Sequence, residues 1–157
     1  MKNKLLSIGL TIVLSVPSLV QAADYLNDTE KAHAFIQCRI KHLGYRWLLG
    51  RFNDFEGTFS YDEADPAASR VEVTIRTASI DSNHAERDKH LRGEEFLDVD
   101  KYPQANYVST GCTENEDNSA VLTGNQTLRG VTRPESIAVK PVGHGPDPRG
   151  GQRRGFE

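Results

Sequence analysis

Residues 70–80 read RVEVTIRTASI. Val71, Val73 and Ile75 alternate with polar side chains, so a strand built from this stretch has one apolar face and one polar face. Residues 104–113 and 120–128 have the same strand character and are separated by an acidic turn. These alternating segments predict an antiparallel β structure.

Residues 49–61 form another strand-like run, which is rich in aromatic side chains. Phe55, Phe59 and Tyr61 share one parity with each other and would line one face of a strand. The run 136–142 predicts a weaker strand because it contains a proline, and the glycine-rich run 143–155 predicts a loop.

The strand-like pattern of the sequence stops between residues 83 and 97, where charged residues are frequent and β-branched residues are few. Ser82 or Asn83 can cap the start of a helix, and Pro103 ends the segment. Many short strands with one helical insert favour a barrel or sandwich over a parallel α/β sheet.

The first 22 residues have the pattern of a secretory signal peptide. Lys2 and Lys4 precede an apolar run over residues 5–16, and the small residues around Ala22 predict cleavage after that position. The apolar run is shorter than the roughly 20 residues that span a bilayer. We therefore predict export to the periplasm, no membrane-spanning segment, and one mature domain over residues 23–157.

The charge balance and the cysteines narrow the function classes further. The chain has 19 basic and 22 acidic residues without a basic stripe, which argues against a nucleic-acid partner. Cys38 and Cys112 are the only cysteines. They could form a disulfide in an oxidising compartment or pack separately as small apolar residues, and both alternatives stay open.

Several spaced motifs, in the same order and with the same gaps, resemble the YceI family in its enterobacterial periplasmic members. They are HLG at 42–44, GRF at 50–52, DFEGTF at 54–59, DSNHAERDKHLR at 81–92, FLD at 96–98, YPQA at 102–105, LTG at 122–124 and LRGVT at 128–132.

The resemblance implies an extended lipocalin-like antiparallel β-barrel with a short helical insert, whose interior binds polyisoprenoid or similar long-chain amphiphiles. It implies no catalytic residue, no metal and no cofactor. Family members continue beyond the position of Glu157, so we expect the barrel to lack its last strands. An open sheet edge would then favour homo-association through strand pairing.

A barrel of roughly eight strands is wide enough to hold one slim ligand, which would bind through buried apolar area. Our strongest candidates for its wall are Phe55, Phe59, Val73 and Ile75, because their parity is clearest. Ordinary core packing is the alternative for every candidate. The complete predicted wall consists of Phe35, Ile40, Leu43, Trp47, Phe52, Phe55, Phe59, Val73, Ile75, Phe96, Leu97 and Leu128.

The helical insert carries the densest polar cluster, with Arg87, Asp88 and His90. These residues either form a polar mouth for a ligand head group or tie the insert to the barrel. His84 and His90 do not have the i, i+4 spacing of a zinc protease helix, and no G-x-S-x-G sequence occurs. A non-enzymatic lipid carrier is therefore the main hypothesis. A ligand-free stress or interaction module is the alternative, followed by a metal-dependent hydrolase.

Overall fold

The computed structural model describes residues 23–26, 33–62 and 64–157, and the predicted signal peptide over residues 1–22 lies outside this part of the chain. The described residues form one helix, α1, at Ala85–Arg92. The strands, numbered β1 to β11 in chain order, are Ala23–Leu26, Ile36–His42, Arg46–Phe52, Phe55–Tyr61, Arg70–Arg76, Ile80–Asp81, Gln104–Glu114, Ala120–Leu128, Val131–Val139, Pro141–Pro146 and Gln152–Phe156.

The strands form three antiparallel sheets. The largest has six strands in the order β1-β4-β5-β7-β8-β9, a second contains β2, β3 and β6, and β10 pairs with β11. The predicted all-β antiparallel architecture with one short helical insert is confirmed. No helix in the described ranges is long and apolar enough to cross a bilayer.

The prediction of one strand over residues 49–61 is wrong, because the chain changes sheets inside this run. The amide of Asn53 donates to the carbonyl of Ser79 at 3.2 Å, and the carbonyl of Asp54 accepts from the amide of Arg76 at 3.0 Å. These backbone bonds end β3 and direct β4 into the six-stranded sheet.

The strand-like run at residues 70–80 is also divided in two. A 3₁₀ turn at Thr77–Ser79 separates β5 from β6. The side chain of Thr77 is fully buried, its amide donates to the carbonyl of Pro103 at 3.0 Å and its hydroxyl to that of Tyr102 at 2.7 Å. The end of the helical insert therefore fixes the point where the chain leaves the large sheet.

The prediction of a loop over residues 143–155 is wrong, since β10 and β11 form a hairpin there. Asp147 begins its turn by accepting from the amide of Arg149 at 2.8 Å. Gly150 and Gly151 follow with φ values of 95° and 87°, which favour glycine. The weaker strand expected at 136–142 is instead divided between two strands, because β9 starts at Val131 and ends at Val139 while β10 begins at Pro141.

Candidate ligand-binding site

Strand register places most apolar residues of β4, β5, β7 and β8 on one side of the large sheet, which we call the inner face. Phe55 lies opposite Ile75, which in turn lies opposite Ala105. The next rows follow the same pattern and bring Val73 opposite Tyr107. Since paired residues point to the same side of a sheet, these rows form one surface. The inner face on β4, β5, β7 and β8 includes Phe55, Phe59, Val71, Val73, Ile75, Ala105, Tyr107, Ser109, Leu122 and Gly124.

The expectation that Phe55, Phe59, Val73 and Ile75 share a face is thus confirmed, while their role as a ligand wall stays a prediction. Phe55 is buried and the other three are half-buried. Sequence reasoning missed Tyr107, although it alternates with Ala105 and Ser109 in a predicted strand. That parity is the signal that could have found it.

The ring of Tyr107 lies directly on the backbone of β8. Its hydroxyl donates to the carbonyl of Leu122 at 3.2 Å. A Cβ atom at Gly124 would be 2.5 Å from the ring Cζ, so only glycine permits this approach. Burial raises the pKa of the Tyr107 phenol, and the nearby charge of Glu135 raises it further. The phenol is therefore neutral at physiological pH.

A bulge bends the large sheet at Ser109. The register between β7 and β8 shifts between Ser109 and Gly111. The hydroxyl oxygen of Ser109 accepts from the amide of Val71 at 2.8 Å, which gives this donor a partner where the backbone pairing of β5 with β7 stops. Bulges increase local bend and twist, so this one helps to curve the inner face.

Aromatic side chains cover one end of the inner face. The rings of Tyr25 and Phe59 stack with centroids 4.6 Å apart. Phe156 of β11 meets Phe59 edge-on at 5.5 Å and Tyr61 at 6.3 Å, and the guanidinium of Arg154 lies 4.2 Å above the Tyr61 ring. The β10–β11 hairpin thereby contacts β4, a contact between distant parts of the chain that strand periodicity could not indicate.

Most of the other predicted wall residues do not lie among the buried side chains of the inner face. Phe52 and Leu97 are half-buried, and Leu128 has inner-face parity at the exposed end of β8. Ile40 and Trp47 lie on opposite faces of the three-stranded sheet, because Ile40 pairs with Leu48 and Trp47 pairs with Lys41. The exposed members of the predicted wall are Phe35, Ile40, Leu43, Trp47, Phe96 and Leu128.

The polar cluster of the insert makes contacts mainly within the protein. Asp88 is buried and accepts from the amide of Ser82 at 2.8 Å and from its hydroxyl. The hydrogen bond from the Ser82 hydroxyl holds the pKa of Asp88 below its ordinary value. Arg87 donates to the Ser82 hydroxyl at 2.7 Å, and His90 pairs with Glu95 at 2.9 Å. For Arg87 and Asp88, these bonds favour the role of tying α1 to Ser82, the residue that follows β6.

The expected helix cap is wrong by one or two residues. His84 is the N-cap of α1, and its Nδ1 accepts from the amide of Arg87 at 3.2 Å. The Ser82 hydroxyl is engaged with Asp88 instead, and Asn83 has a φ of 59°, which is incompatible with a helix start.

Two open grooves in the described part of the chain are lined mainly by residues outside the inner face. One of about 590 Å³ crosses β1, β4, β5 and β7, and most of its lining residues, among them Thr58, Glu72 and Val108, belong by register to the opposite face. The other, of about 360 Å³, lies between the three-stranded sheet and the start of the insert and is lined partly by Cys38 and Asp81.

The two cysteines are free thiols, so the disulfide alternative is not realised in this structure. Cys38 is exposed on β2, where its Sγ lies over Gly50. Cys112 is half-buried on β7, and burial raises the pKa of its thiol. Within the described ranges, no three His, Cys, Asp or Glu residues are grouped to hold a metal ion.

Solved structures share this fold. A Campylobacter jejuni YCEI protein superposes with a TM-score of 0.65 at 29% identity, over 81% of this chain and 74% of that one. The BcnA protein of Burkholderia cenocepacia has a TM-score of 0.65 at 24% identity, covering 69% of this chain and 67% of its own, which supports the fold alone. These matches agree with the predicted antiparallel barrel class.

Sequence relatives are closer still. A UPF0312 protein of Pseudomonas aeruginosa is 54% identical over 157 residues, covering all of this chain and 82% of the relative. The protein YceI of Salmonella arizonae is 52% identical over 157 residues with the same coverage. The model of the YceI-like domain matches residues 28–156. The chain therefore belongs to the YceI-like family.

Proposed function

We propose that this protein is a periplasmic, non-enzymatic carrier that binds a long-chain isoprenoid or similar amphiphilic lipid against its inner face. The observation that carries the proposal is the alignment of apolar side chains in rows across β4, β5 and β7. Contact between a lipid chain and this surface is favourable because it removes apolar area of both from water.

The two buried polar side chains of the inner face, Tyr107 and Ser109, already have hydrogen-bond partners within the protein. The hydroxyl of Tyr107 already donates to Leu122, and the hydroxyl of Ser109 already accepts from Val71. Covering such bonded groups with a hydrocarbon chain has a smaller desolvation cost than covering groups without a partner. Each 100 Å² of apolar area removed from water contributes about 2.5 kcal/mol before the costs of binding.

The compartment is part of the proposal and rests on the N-terminal pattern. Lys2 and Lys4 before a short apolar run, with small residues up to Ala22, are typical of a cleaved export signal. The intact mass of the protein recovered from the periplasm should correspond to a chain that begins at Ala23. A product that stays in the cytoplasm with its first residues attached would contradict the export part.

The ligand part is tested by lipid extraction. The chain is expressed with its own N-terminal segment in a bacterial host, purified without detergent, extracted with organic solvent and analysed by mass spectrometry. We expect a stoichiometric long-chain lipid in the extract. An empty protein would contradict the carrier function and favour the interaction module.

Neighbouring residues on β4 provide a matched pair of variants. Phe59 points to the inner face and Thr58 to the opposite face. Phe59→Ala removes apolar contact area of the order of 60 Å², which corresponds to about 1.5 kcal/mol or roughly tenfold weaker lipid retention. Thr58→Ala should retain lipid as the unaltered protein does. Circular dichroism and thermal unfolding establish that both variants are folded, and equal retention by both would contradict an inner-face site.

A further inference from the structure

The β2–β3 hairpin is a positively charged element in a mildly acidic protein. The chain as a whole has more acidic than basic residues, 22 against 19. Residues 33–53 contain Arg39, Lys41, Arg46 and Arg51 but no aspartate or glutamate. Arg51, at the base of the hairpin, pairs with Asp81 at 3.2 Å, and the other three cations lie nearer the turn.

The same hairpin exposes large apolar side chains around its turn. Leu43 and Gly44 form the turn with φ values of 49° and 78°, a tight reversal that leaves both flanks open to solvent. The exposed fractions are 75% for Leu43, 90% for Tyr45, 54% for Trp47 and 69% for Leu49. Such a concentration of exposed apolar groups marks an interaction surface.

Register places cations and apolar groups side by side. Arg39 lies opposite Leu49, and Lys41 lies opposite Trp47, so all four project from one face of the hairpin. The guanidinium of Arg39 also lies 4.7 Å above the ring of Trp47. We call this surface the hairpin patch, defined as Arg39, Lys41, Trp47 and Leu49 on this face together with Leu43 and Tyr45 of the turn.

We propose that the hairpin patch docks the protein onto the surface of an anionic lipid bilayer. Tryptophan and tyrosine prefer the head-group region of a bilayer, where an apolar ring and a polar edge are both satisfied. Arginine and lysine there contact lipid phosphates while their alkyl stems lie among apolar groups. The turn presents Leu43 and Tyr45 at its tip, from which they enter the interface first.

The charge complementarity distinguishes this occupant from a second copy of the chain. A second hairpin patch would bring Arg39 and Lys41 against the same two cations of the other copy, which is unfavourable. An anionic bilayer instead supplies phosphates at every position and can adjust to a convex hairpin. This inference does not depend on what the inner face binds, although a lipid carrier has an evident use for a membrane contact.

Trp47 is the only tryptophan, so its fluorescence reports directly on the hairpin patch. The processed protein, with its N-terminus defined by mass, is titrated with phosphatidylcholine vesicles and with vesicles made half of phosphatidylglycerol. We expect a blue shift of emission and co-sedimentation with the phosphatidylglycerol vesicles only. Molar salt should reverse both effects, because it screens the attraction.

Charge variants provide the second part of the test. The double variant Arg39→Gln, Lys41→Gln should bind phosphatidylglycerol vesicles about 25-fold more weakly, at roughly fivefold per cation. Lys89→Gln, on the exposed side of α1, makes a matched single-charge control and should have the affinity of the unaltered protein. The single variant Lys41→Gln gives the like-for-like comparison with it, at about fivefold weaker binding.

Three results would overturn the proposal. The first is no shift with either vesicle, and the second is an equal shift with both vesicles, which indicates lipid uptake without charged docking. The third is a concentration-dependent shift without vesicles, which indicates that a second copy covers the hairpin patch. If vesicle binding fails while lipid still co-purifies, this inference falls and the carrier function stands.

Discussion

A methyl group at position 124 would collide with both neighbouring parts of β7. The added Cβ would lie 2.5 Å from Cζ and 2.6 Å from the hydroxyl oxygen of Tyr107, and 2.6 Å from the carbonyl oxygen of Val108. Rotation of the tyrosine could relieve the first two contacts. The third involves the backbone of the paired strand, so Gly124→Ala must also displace β7 or β8.

The cost follows from these contacts. Overpacking a buried site costs about 1–3 kcal/mol. A displaced Tyr107 also loses its hydrogen bond to Leu122, which contributes about 0.5–1.5 kcal/mol. Gly124→Ala should therefore lower the free energy of unfolding by about 2–4 kcal/mol, a large part of the roughly 5–15 kcal/mol typical of a domain.

Urea unfolding followed by circular dichroism measures this loss. Gly143→Ala is the matched control, since a Cβ at Gly143 has no atom within 4 Å and its stability should change by less than about 1 kcal/mol. The midpoint of Gly124→Ala should fall while the slope stays constant. Equal midpoints for the two variants would refute the placement of the Tyr107 ring on β8.

The buried carboxylate of the insert and the two thiols give further predictions. Because the Ser82 hydroxyl lowers the pKa of Asp88, its ionised form stabilises the fold above the unfolded pKa of about 3.9, and that contribution is lost as the pH falls through the lower folded value. In thermal unfolding, Asp88→Asn should be destabilised at pH 7 and respond less to acid than the exposed control Asp100→Asn; parallel pH profiles would contradict this. Unfolded, unreduced protein should incorporate two equivalents of alkylating reagent, at Cys38 and Cys112, and in the native state Cys112 should react more slowly. A mass two units lower without reductant, with no labelling, would show a disulfide instead.

The sequence predicted strands whose ends are set by neighbouring residues, and it missed features that are set by contacts with distant residues. The run 120–128 became β8 with the same ends, because a turn on each side bounds a short strand-like segment. The division between β4 and β3 was missed because it depends on backbone bonds from Asn53 and Asp54 to distant residues. The β10–β11 hairpin was missed for a similar reason, since glycine and arginine give little strand signal until a partner strand is present.

The candidate site could be predicted only where parity was unambiguous. Phe55 and Ile75 were placed correctly on one face because each lies in a clean alternation. Ile40 and Trp47 were grouped by hydrophobicity alone, and pairing in a separate sheet puts them on opposite faces. Sequence hydrophobicity does not distinguish an inner wall from an exposed interaction surface, because the same side chains serve both.

Photo-crosslinking with an isoprenoid that carries a diazirine on its chain tests the carrier function most directly. After irradiation, peptide mass mapping identifies the labelled residues, and excess unlabelled isoprenoid establishes that labelling is saturable. We predict saturable labels on the inner face of β4 and β5, at Phe55, Phe59, Val73 or Ile75. Labels confined to residues of the opposite face, such as Thr58, Glu72 or Val108, or labelling that competitor does not reduce, would contradict binding at the inner face.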